Sequence, residues 1–249
     1  MIELGAIQIS LIILSAMLIG ISKTGLPTLG ILVVATMASV FPARESIGIV
    51  LPMLIAGDII AVTYYRRSVH WLTLWKLVPW VLGGLISGYL LLLFNSSSRS
   101  IEMIIGTIVL SLIVVQFSRE YFMNKSNAAL PQSKSFIIFM GTLAGFTTMV
   151  GNAAGPIMAI FLLAIALPKK EFIGTGAWFF LTVNLIKVPM YTSLGLISLE
   201  TLSINLWLLP FIIIGAVIGI KFLPLIPQKL FNTIILVLSF LGGLQLLLP

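Results

Sequence analysis

The sequence predicts an all-α polytopic membrane protein of two inverted-topology repeats. Each repeat is a short helix pair, either re-entrant or fully spanning, followed by three transmembrane helices. The 249 residues are 59% hydrophobic and 8% charged, with a mean hydropathy of +1.19, whereas a soluble domain of this length needs more polar surface. The apolar runs are helix-length, near the roughly 20 residues of a span, and lack the alternating pattern of barrel strands. The two halves of the chain also resemble each other.

Ten apolar segments follow one another, separated by glycine, proline or charged residues. They cover residues 5–21, 25–40, 45–65, 72–94, 101–118, 135–149, 153–167, 172–194, 203–223 and 229–248. The longest polar interval lies near the middle of the chain, and we interpret residues 119–134 as a cytoplasmic linker. The linker separates a first membrane repeat, 1–118, from a second, 135–249.

The second half repeats the pattern of the first, as in many transporters. Aligned in one register are the ranges 41–48 and 167–174, Gly25 with Gly151, and Asp58 with Asn184. Each half opens with two segments of about 15 to 17 residues, shorter than the roughly 20 residues of a full span. Each pair is therefore interpreted as a re-entrant hairpin or a broken pair whose tip lies inside the membrane.

The cations fit an inverted repeat, because an odd number of crossings per half places most of them on one side. That side carries Arg66, Arg67, Lys76, Arg119, Lys125, Lys134, Lys169, Lys170, Lys221 and Lys229. Arg44 and Arg99 lie opposite, and Lys23 and Lys187 lie inside the membrane. The positive-inside rule makes the cation-rich side cytoplasmic and places both termini outside. A parallel repeat would lose this asymmetry.

Composition excludes several functional classes. The chain has no cysteine and one histidine, His70, so disulfides and Cys/His metal clusters are not expected, and neither is a cofactor. The net charge of +7 comes from cations that flank apolar segments, which indicates topology signals and not a nucleic-acid partner. The first apolar segment carries Glu3 and lacks a positive flank, so it does not resemble a removable signal peptide.

The tip of the first hairpin has the residues of a small-anion site. Lys23 lies between two short apolar segments, where a charge is costly unless it is paired or hydrated. Gly25 frees the backbone to turn, and the helix that follows presents unpaired N–H groups. We predict that Lys23, Thr24, Gly25 and Pro27 contact the ligand; the alternative for Lys23 is snorkelling to the interface.

The second hairpin is again rich in glycine and hydroxyl groups but has no lysine at the matching place. Its predicted ligand contacts are Thr147, Thr148, Gly151, Asn152, Gly155 and Pro156. Asn184 and Lys187 lie three residues apart and therefore share a helix face. We predict that both complete the site as the two hairpins converge near the midplane. Alternatively, Lys187 lies near the outer interface or pairs with a buried carboxylate.

Asp58 is the acid that lies deepest within an apolar run. Intramembrane ionisable residues are candidate functional groups by default, so Asp58 is either a proton carrier or a counter-charge for a lysine. Three other apolar segments contain glycines in small-xxx-small pairs. The pairs Gly84 with Gly88, Gly141 with Gly145, and Gly215 with Gly219 predict close helix packing.

Several motifs together resemble one family. They are Gly20–Gly25, Leu51–Asp58, Gly151–Pro156, and Gly174–Ala177 followed by Asn184, Lys187 and Pro189. Over nearly the whole chain they resemble the sulfite exporter TauE/SafE family of bacterial membrane permeases. The resemblance implies secondary transport of small sulfur-containing anions, such as sulfite or organosulfonates, across the bacterial inner membrane. Asn152 and Ala153 stand where many relatives have further glycines, which leaves the identity of the anion open.

We therefore expect an anion exporter and not an enzyme, with the halves rocking to alternate access. The expected partners are a small anion, membrane lipid, and protons or another coupling ion; a homodimer is one possible assembly. A carboxylate transporter and a passive anion channel are the alternatives. Lysines and helix N-termini do not distinguish a sulfonate from a carboxylate.

Overall fold

The computed structural model describes residues 5–94, 107, 110, 111 and 133–247. In this part the ordered elements are helices, which confirms the all-α prediction. They are α1 (Ala6–Thr24), α2 (Gly30–Val40), α3 (Ala43–Tyr65), α4 (Trp71–Phe94), α5 (Lys134–Gly151), α6 (Ala154–Ala164), α7 (Lys169–Ser193), α8 (Leu199–Phe222) and α9 (Gln228–Leu247). The predicted segment 101–118 lies almost wholly outside the described residues.

Six helices in the described ranges are long and apolar enough to cross a membrane. They comprise α1, α3, α4, α5, α7 and α8, with mean hydropathies between 1.3 and 2.3. An apolar helix of about 20 residues matches the hydrocarbon thickness of a bilayer. The chain is therefore a multi-pass membrane protein, as the composition predicts.

The first helix of each predicted pair is longer than the sequence suggests. Helix α1 has 19 residues and α5 has 18, while α2 and α6 have 11 each. Residues 22–24 and 150–151 continue these helices beyond the predicted ends at residues 21 and 149. A Cβ added to Gly20 would overlap the Ile212 carbonyl oxygen, and one added to Gly145 would overlap the Val81 carbonyl oxygen. These glycines serve close packing, and the chain turns only after Thr24 and Gly151.

The small-xxx-small prediction is confirmed at two helix pairs that each join the two halves. Helix α4 packs on α5, where Gly84 faces the Thr142 carbonyl. Helix α1 packs on α8, where Gly215 faces the Met17 carbonyl. In both places a side chain on the glycine would overlap a main-chain oxygen, so glycine is required for the approach.

Helices α3 and α7 lie antiparallel to each other. Gly48, near the start of α3, packs against the Leu196 carbonyl just beyond the end of α7. Gly174, near the start of α7, packs against the Ser68 carbonyl just beyond the end of α3. Since the two helices occupy the same place in the aligned halves, their antiparallel arrangement is what an inverted repeat requires. The inversion of the complete halves stays a prediction.

The starts of α4, α7 and α9 lie at one end of the helix bundle. There the His70 backbone N–H donates to Thr175 Oγ1 at 2.9 Å, and the Lys169 backbone N–H donates to Gln228 Oε1 at 3.0 Å. The parallel contacts of α5 with α4 place the start of α5 at the same end. Within two turns of this end lie Arg66, Arg67, Lys76, Lys134, Lys169, Lys170, Lys221 and Lys229. We call it the cationic end; Arg119 and Lys125 lie outside the described residues.

Candidate functional site

The two chain turns that follow α1 and α5 meet inside the bundle. After α1 the chain passes through Gly25 into a 3₁₀ turn, Pro27–Leu29, before α2 begins. After α5 it passes through Asn152 and Ala153 before α6 begins. A Cβ added to Gly155 would lie 3.2 Å from the Pro27 carbonyl oxygen, so the turns touch each other. The predicted convergence of the two hairpin tips is present in this arrangement.

The second turn depends on Asn152, which ends α5 with a φ of 55°. Asparagine adopts this left-handed conformation more readily than other residues with a side chain. Its Nδ2 donates to the Ile47 carbonyl of α3 at 3.3 Å. Pro156 then lies in the first turn of α6, where a missing N–H costs nothing. The asparagine therefore both bends the chain and fastens the bend to α3.

The first turn brings Lys23 to Asp58. Lys23 Nζ lies 2.8 Å from Asp58 Oδ1, and the two side chains are 8% and 0% exposed. The ammonium group also lies over the Phe180 ring, 4.2 Å from its centroid. Asp58 is therefore placed as the counter-charge of Lys23, which is one of the two roles that the sequence suggests for it.

Asn184 joins this ion pair to Lys187. Its Nδ2 donates to Asp58 Oδ2 at 2.7 Å, and its Oδ1 accepts from Lys187 Nζ at 3.5 Å. Because Asp58 and Asn184 are aligned residues of α3 and α7, they meet where these antiparallel helices cross. The amide N–H of Asn184 donates to the carboxylate and the amide oxygen accepts from the ammonium, so this side chain fits between Asp58 and Lys187.

Lys187 is fully buried, with 0% exposure. Its Nζ donates to Thr148 Oγ1 at 3.3 Å and to Asn152 Oδ1, besides the long contact with Asn184. The ring of Tyr191 lies 4.9 Å from it. Among the side chains that the structure describes, no carboxylate lies within ion-pair distance of Lys187. Every oxygen that it contacts there is neutral.

The buried centre is the name we give to Lys23, Asp58, Thr148, Asn152, Asn184 and Lys187. It contains two lysines and one carboxylate, so with these groups ionised its net charge is +1. A buried charge without a counter-charge is costly in a membrane. The centre is therefore suited to bind a small anion. In the described part of the chain, no group of three His, Cys, Asp or Glu residues could hold a metal ion.

The other predicted contacts lie near the centre without sharing its hydrogen bonds. The Thr24 hydroxyl donates to the carbonyls of Gly20 and Ala216, both at 2.9 Å, where α1 packs on α8. The Thr147 hydroxyl donates to the Leu143 carbonyl at 2.8 Å within its own helix. Gly25 packs on α8, Pro27 and Gly155 form the contact between the turns, and Gly151 faces open space. Of the three hydroxyls predicted, the structure brings Thr148 to a lysine.

Two tyrosines at the turns were not predicted from the sequence. Tyr65 donates its hydroxyl to the Thr24 carbonyl at 2.9 Å, and Tyr191 donates to the Met149 carbonyl at 2.7 Å. Each thereby secures the last turn of a hairpin helix. The register that aligns Asp58 with Asn184 also aligns Tyr65 with Tyr191. Extending the repeat alignment by two helical turns would have identified both.

Comparison with known proteins identifies one family. The model of the family described as Sulfite exporter TauE/SafE matches residues 12–246, nearly the whole chain. Among curated proteins and among solved structures, none matches the chain.

Proposed function

Because the chain belongs to the sulfite exporter TauE/SafE family, whose members are membrane transporters and not enzymes, we propose that its buried centre carries a small sulfur-containing anion outward. The proposed cargo is sulfite or an organosulfonate. The resemblance of the sequence motifs suggests the same cargo class.

The observation that supports an anion site most strongly is that the buried centre holds two lysines and only one carboxylate. Lys23 has Asp58 as its counter-ion, but Lys187 has only neutral oxygen partners in the described part of the chain. An anion beside Lys187 would remove the excess positive charge from an environment where charge is weakly screened. A neutral substrate would leave that charge uncompensated.

The partners of Lys187 also suit an oxyanion. Hydrogen bonds between an ammonium and a charged oxygen are shorter and stronger than those to an amide or hydroxyl oxygen. A sulfite or sulfonate oxygen would therefore compete well with Asn152 Oδ1 for Lys187 Nζ. The Thr148 hydroxyl, which now accepts from Lys187 at 3.3 Å, would be able to donate to a second oxygen of the anion.

We further propose that access to the centre alternates as the halves move against each other. The turns after α1 and α5 touch at Gly155 and Pro27, so relative movement of the hairpins would open or close the region beside Lys187. The cationic end would face the cytoplasm of a bacterium, with both termini outside the inner membrane.

Asp58 is proposed to hold Lys23 in place. A proton carried by Asp58 would have to break the 2.8 Å pair with Lys23. The test compares the pH dependence of transport in the native chain and in Asp58→Asn. An unchanged pH profile supports the counter-charge role, whereas loss of the dependence supports proton carriage.

The function can be tested in proteoliposomes with radiolabelled sulfite and sulfoacetate. We expect saturable flux in the native chain and a fall of at least about 100-fold in Lys187→Met, because two or more charge-assisted contacts of roughly 1.5–3 kcal/mol each are lost. Acetate serves as the competing carboxylate. If acetate is carried and the sulfur anions are not, the cargo proposal fails. Flux that does not saturate would indicate a channel.

A further inference from the structure

A second polar region of the molecule is a cavity at the cationic end. The cavity has a volume of about 690 Å³ and lies between the loop that joins α3 to α4, the start of α7 and the start of α9. Its lining includes Arg67, His70, Lys169, Lys170, Glu171 and Gln228. Lys170 lies about 21 Å along α7 from Asn184. The cavity is therefore separate from the buried centre and is not used in the proposed transport.

Hydrogen bonds fasten the three walls of this cavity to one another. The His70 backbone N–H donates to Thr175 Oγ1 at 2.9 Å, which holds the loop on α7. The Lys169 backbone N–H donates to Gln228 Oε1 at 3.0 Å, which holds α7 on α9. Lys169 Nζ donates to the Leu223 carbonyl at 3.2 Å, where α8 ends. Because the walls are fixed in advance, a ligand in the cavity does not have to order them, which lowers the entropic cost of binding.

The cavity has an excess of positive charge. Arg67, Lys169 and Lys170 line it together with a single carboxylate, that of Glu171, so its net charge is +2 with His70 neutral. Lys169 is used in the contacts between the walls. Arg67 and Lys170 are exposed, and neither forms an ion pair with a carboxylate in the part of the chain that the structure describes. Both charges are therefore available to an external anion.

The first turn of α7 adds main-chain donors to the same cavity. The first N–H groups of an α-helix have no acceptor within the helix. In α7 the Lys169 N–H is used by Gln228, and the Phe172 N–H donates to the Pro168 carbonyl at 2.8 Å. The N–H groups of Lys170 and Glu171 have no acceptor among the described residues. They lie at the positive end of a 25-residue helix, where an oxyanion is favoured.

We infer that this cavity binds the phosphate group of a phosphate monoester. Such a group carries nearly two negative charges at neutral pH, which matches the net charge of the lining. The planar guanidinium of Arg67 is suited to bond two phosphate oxygens at once, and Lys170 supplies a point charge for a third. A soluble organic phosphate and the headgroup of phosphatidic acid both present this group.

The soluble source is tested by isothermal titration calorimetry of the detergent-purified chain with glycerol 3-phosphate at low ionic strength. We expect one site, with a Kd that rises at least about tenfold when Arg67→Gln is combined with Lys170→Gln. The matched control combines Lys134→Gln with Lys221→Gln. It removes two exposed cations of the same end that do not line the cavity, and should leave the Kd unchanged.

The lipid source is tested by native mass spectrometry with phosphatidic acid and with phosphatidylcholine of the same chain length. Phosphatidic acid that binds more tightly than phosphatidylcholine, and is weakened by the Arg67 and Lys170 replacements, identifies a headgroup site if glycerol 3-phosphate does not bind. The inference is overturned if the double variant binds both phosphate ligands as the native chain does. Equal weakening in the control pair would also overturn it, because the effect would then come from overall charge.

Lys187→Met separates this cavity from the buried centre. The variant should bind the phosphate ligand as tightly as the native chain, because Lys187 does not line the cavity. Loss of phosphate binding in Lys187→Met would place the phosphate in the buried centre and overturn the inference. Because binding is measured without transport, the result does not depend on which anion the protein carries.

Discussion

Lys23 and Lys187 are both buried in apolar helices, yet their surroundings differ in kind. Lys23 lies 2.8 Å from a carboxylate, while Lys187 contacts only the neutral oxygens of Thr148, Asn152 and Asn184 among the described residues. The charge of Lys23 has its counter-ion within the protein, whereas a charge on Lys187 has none among the described side chains. The comparison supports the proposal that Lys23 stabilises the fold and that Lys187 serves the substrate.

The difference arises although several residues around the two lysines are aligned between the two halves of the sequence. Asp58 and Asn184 are aligned and bond each other at 2.7 Å, and the aligned Tyr65 and Tyr191 secure corresponding turns. The lysines have no such equivalents, because Met149 aligns with Lys23 and Ala61 with Lys187. The aligned residues therefore support the scaffold, whereas the two lysines stand where the alignment of the halves breaks.

The largest effect is expected on stability when Lys23 is replaced. Lys23→Met leaves Asp58 buried without a cation, which should lower the free energy of unfolding by about 3–5 kcal/mol. Thermal unfolding in detergent measures the change. The matched variant is Lys23→Met with Asp58→Leu, in which both charges are removed and most of the stability should return. A single variant as stable as the native chain would show that the ion pair does not support the fold.

Lys187→Met should have the opposite effect on stability. Removing a buried charge that has no counter-ion relieves its desolvation cost, so the unfolding temperature should stay the same or rise. Transport by the same preparation should be lost. A loss of stability as large as that of Lys23→Met would show that Lys187 also stabilises the fold, and the two lysines would then not differ in role.

A smaller effect is expected at Asn152, whose two functions can be separated. Asn152→Gly keeps the left-handed backbone and removes the amide that contacts Lys187, so the KM for the anion should change by about threefold to tenfold. Asn152→Ala removes the same amide and also costs about 1 kcal/mol for its φ of 55°. Equal unfolding temperatures in the two variants would show that the backbone conformation carries no strain.

The smallest effect separates two adjacent hydroxyls. Thr148→Val removes an oxygen that lies 3.3 Å from Lys187 Nζ, and should raise the KM about twofold to threefold. Thr147→Val is the control, because its hydroxyl donates within its own helix. The KM of each variant is obtained from the dependence of the flux on the anion concentration. The same KM in the two would remove Thr148 from the anion site.

Much of the scaffold could be predicted from the sequence. The packing glycines and the prolines before α3 and α7 identify helix contacts and helix starts, because their backbone effects are local. The ends of α1 and α5 could not be predicted, since the polar and glycine-containing residues 22–25 and 150–152 resemble a loop until the helices that face them are known. Three-dimensional packing also decides which hydroxyl reaches a lysine.

The same limit applies to the charges of the site. The sequence identifies Lys23, Lys187 and Asp58 as the ionisable residues inside the membrane. It does not say which lysine pairs with the carboxylate, because that depends on how α1 and α7 cross α3.

The most direct measurement is anion binding to purified protein, read as the rise in unfolding temperature with increasing sulfite or sulfoacetate. An anion present at 100 times its Kd should stabilise the native chain by about 2.7 kcal/mol. If Lys187 is the anion ligand, the double variant Lys23→Met with Asp58→Leu, which keeps the net charge of the centre, will retain this stabilisation and Lys187→Met will lose it. Stabilisation that persists in Lys187→Met and disappears in the double variant would contradict the assignment and place the anion beside Lys23.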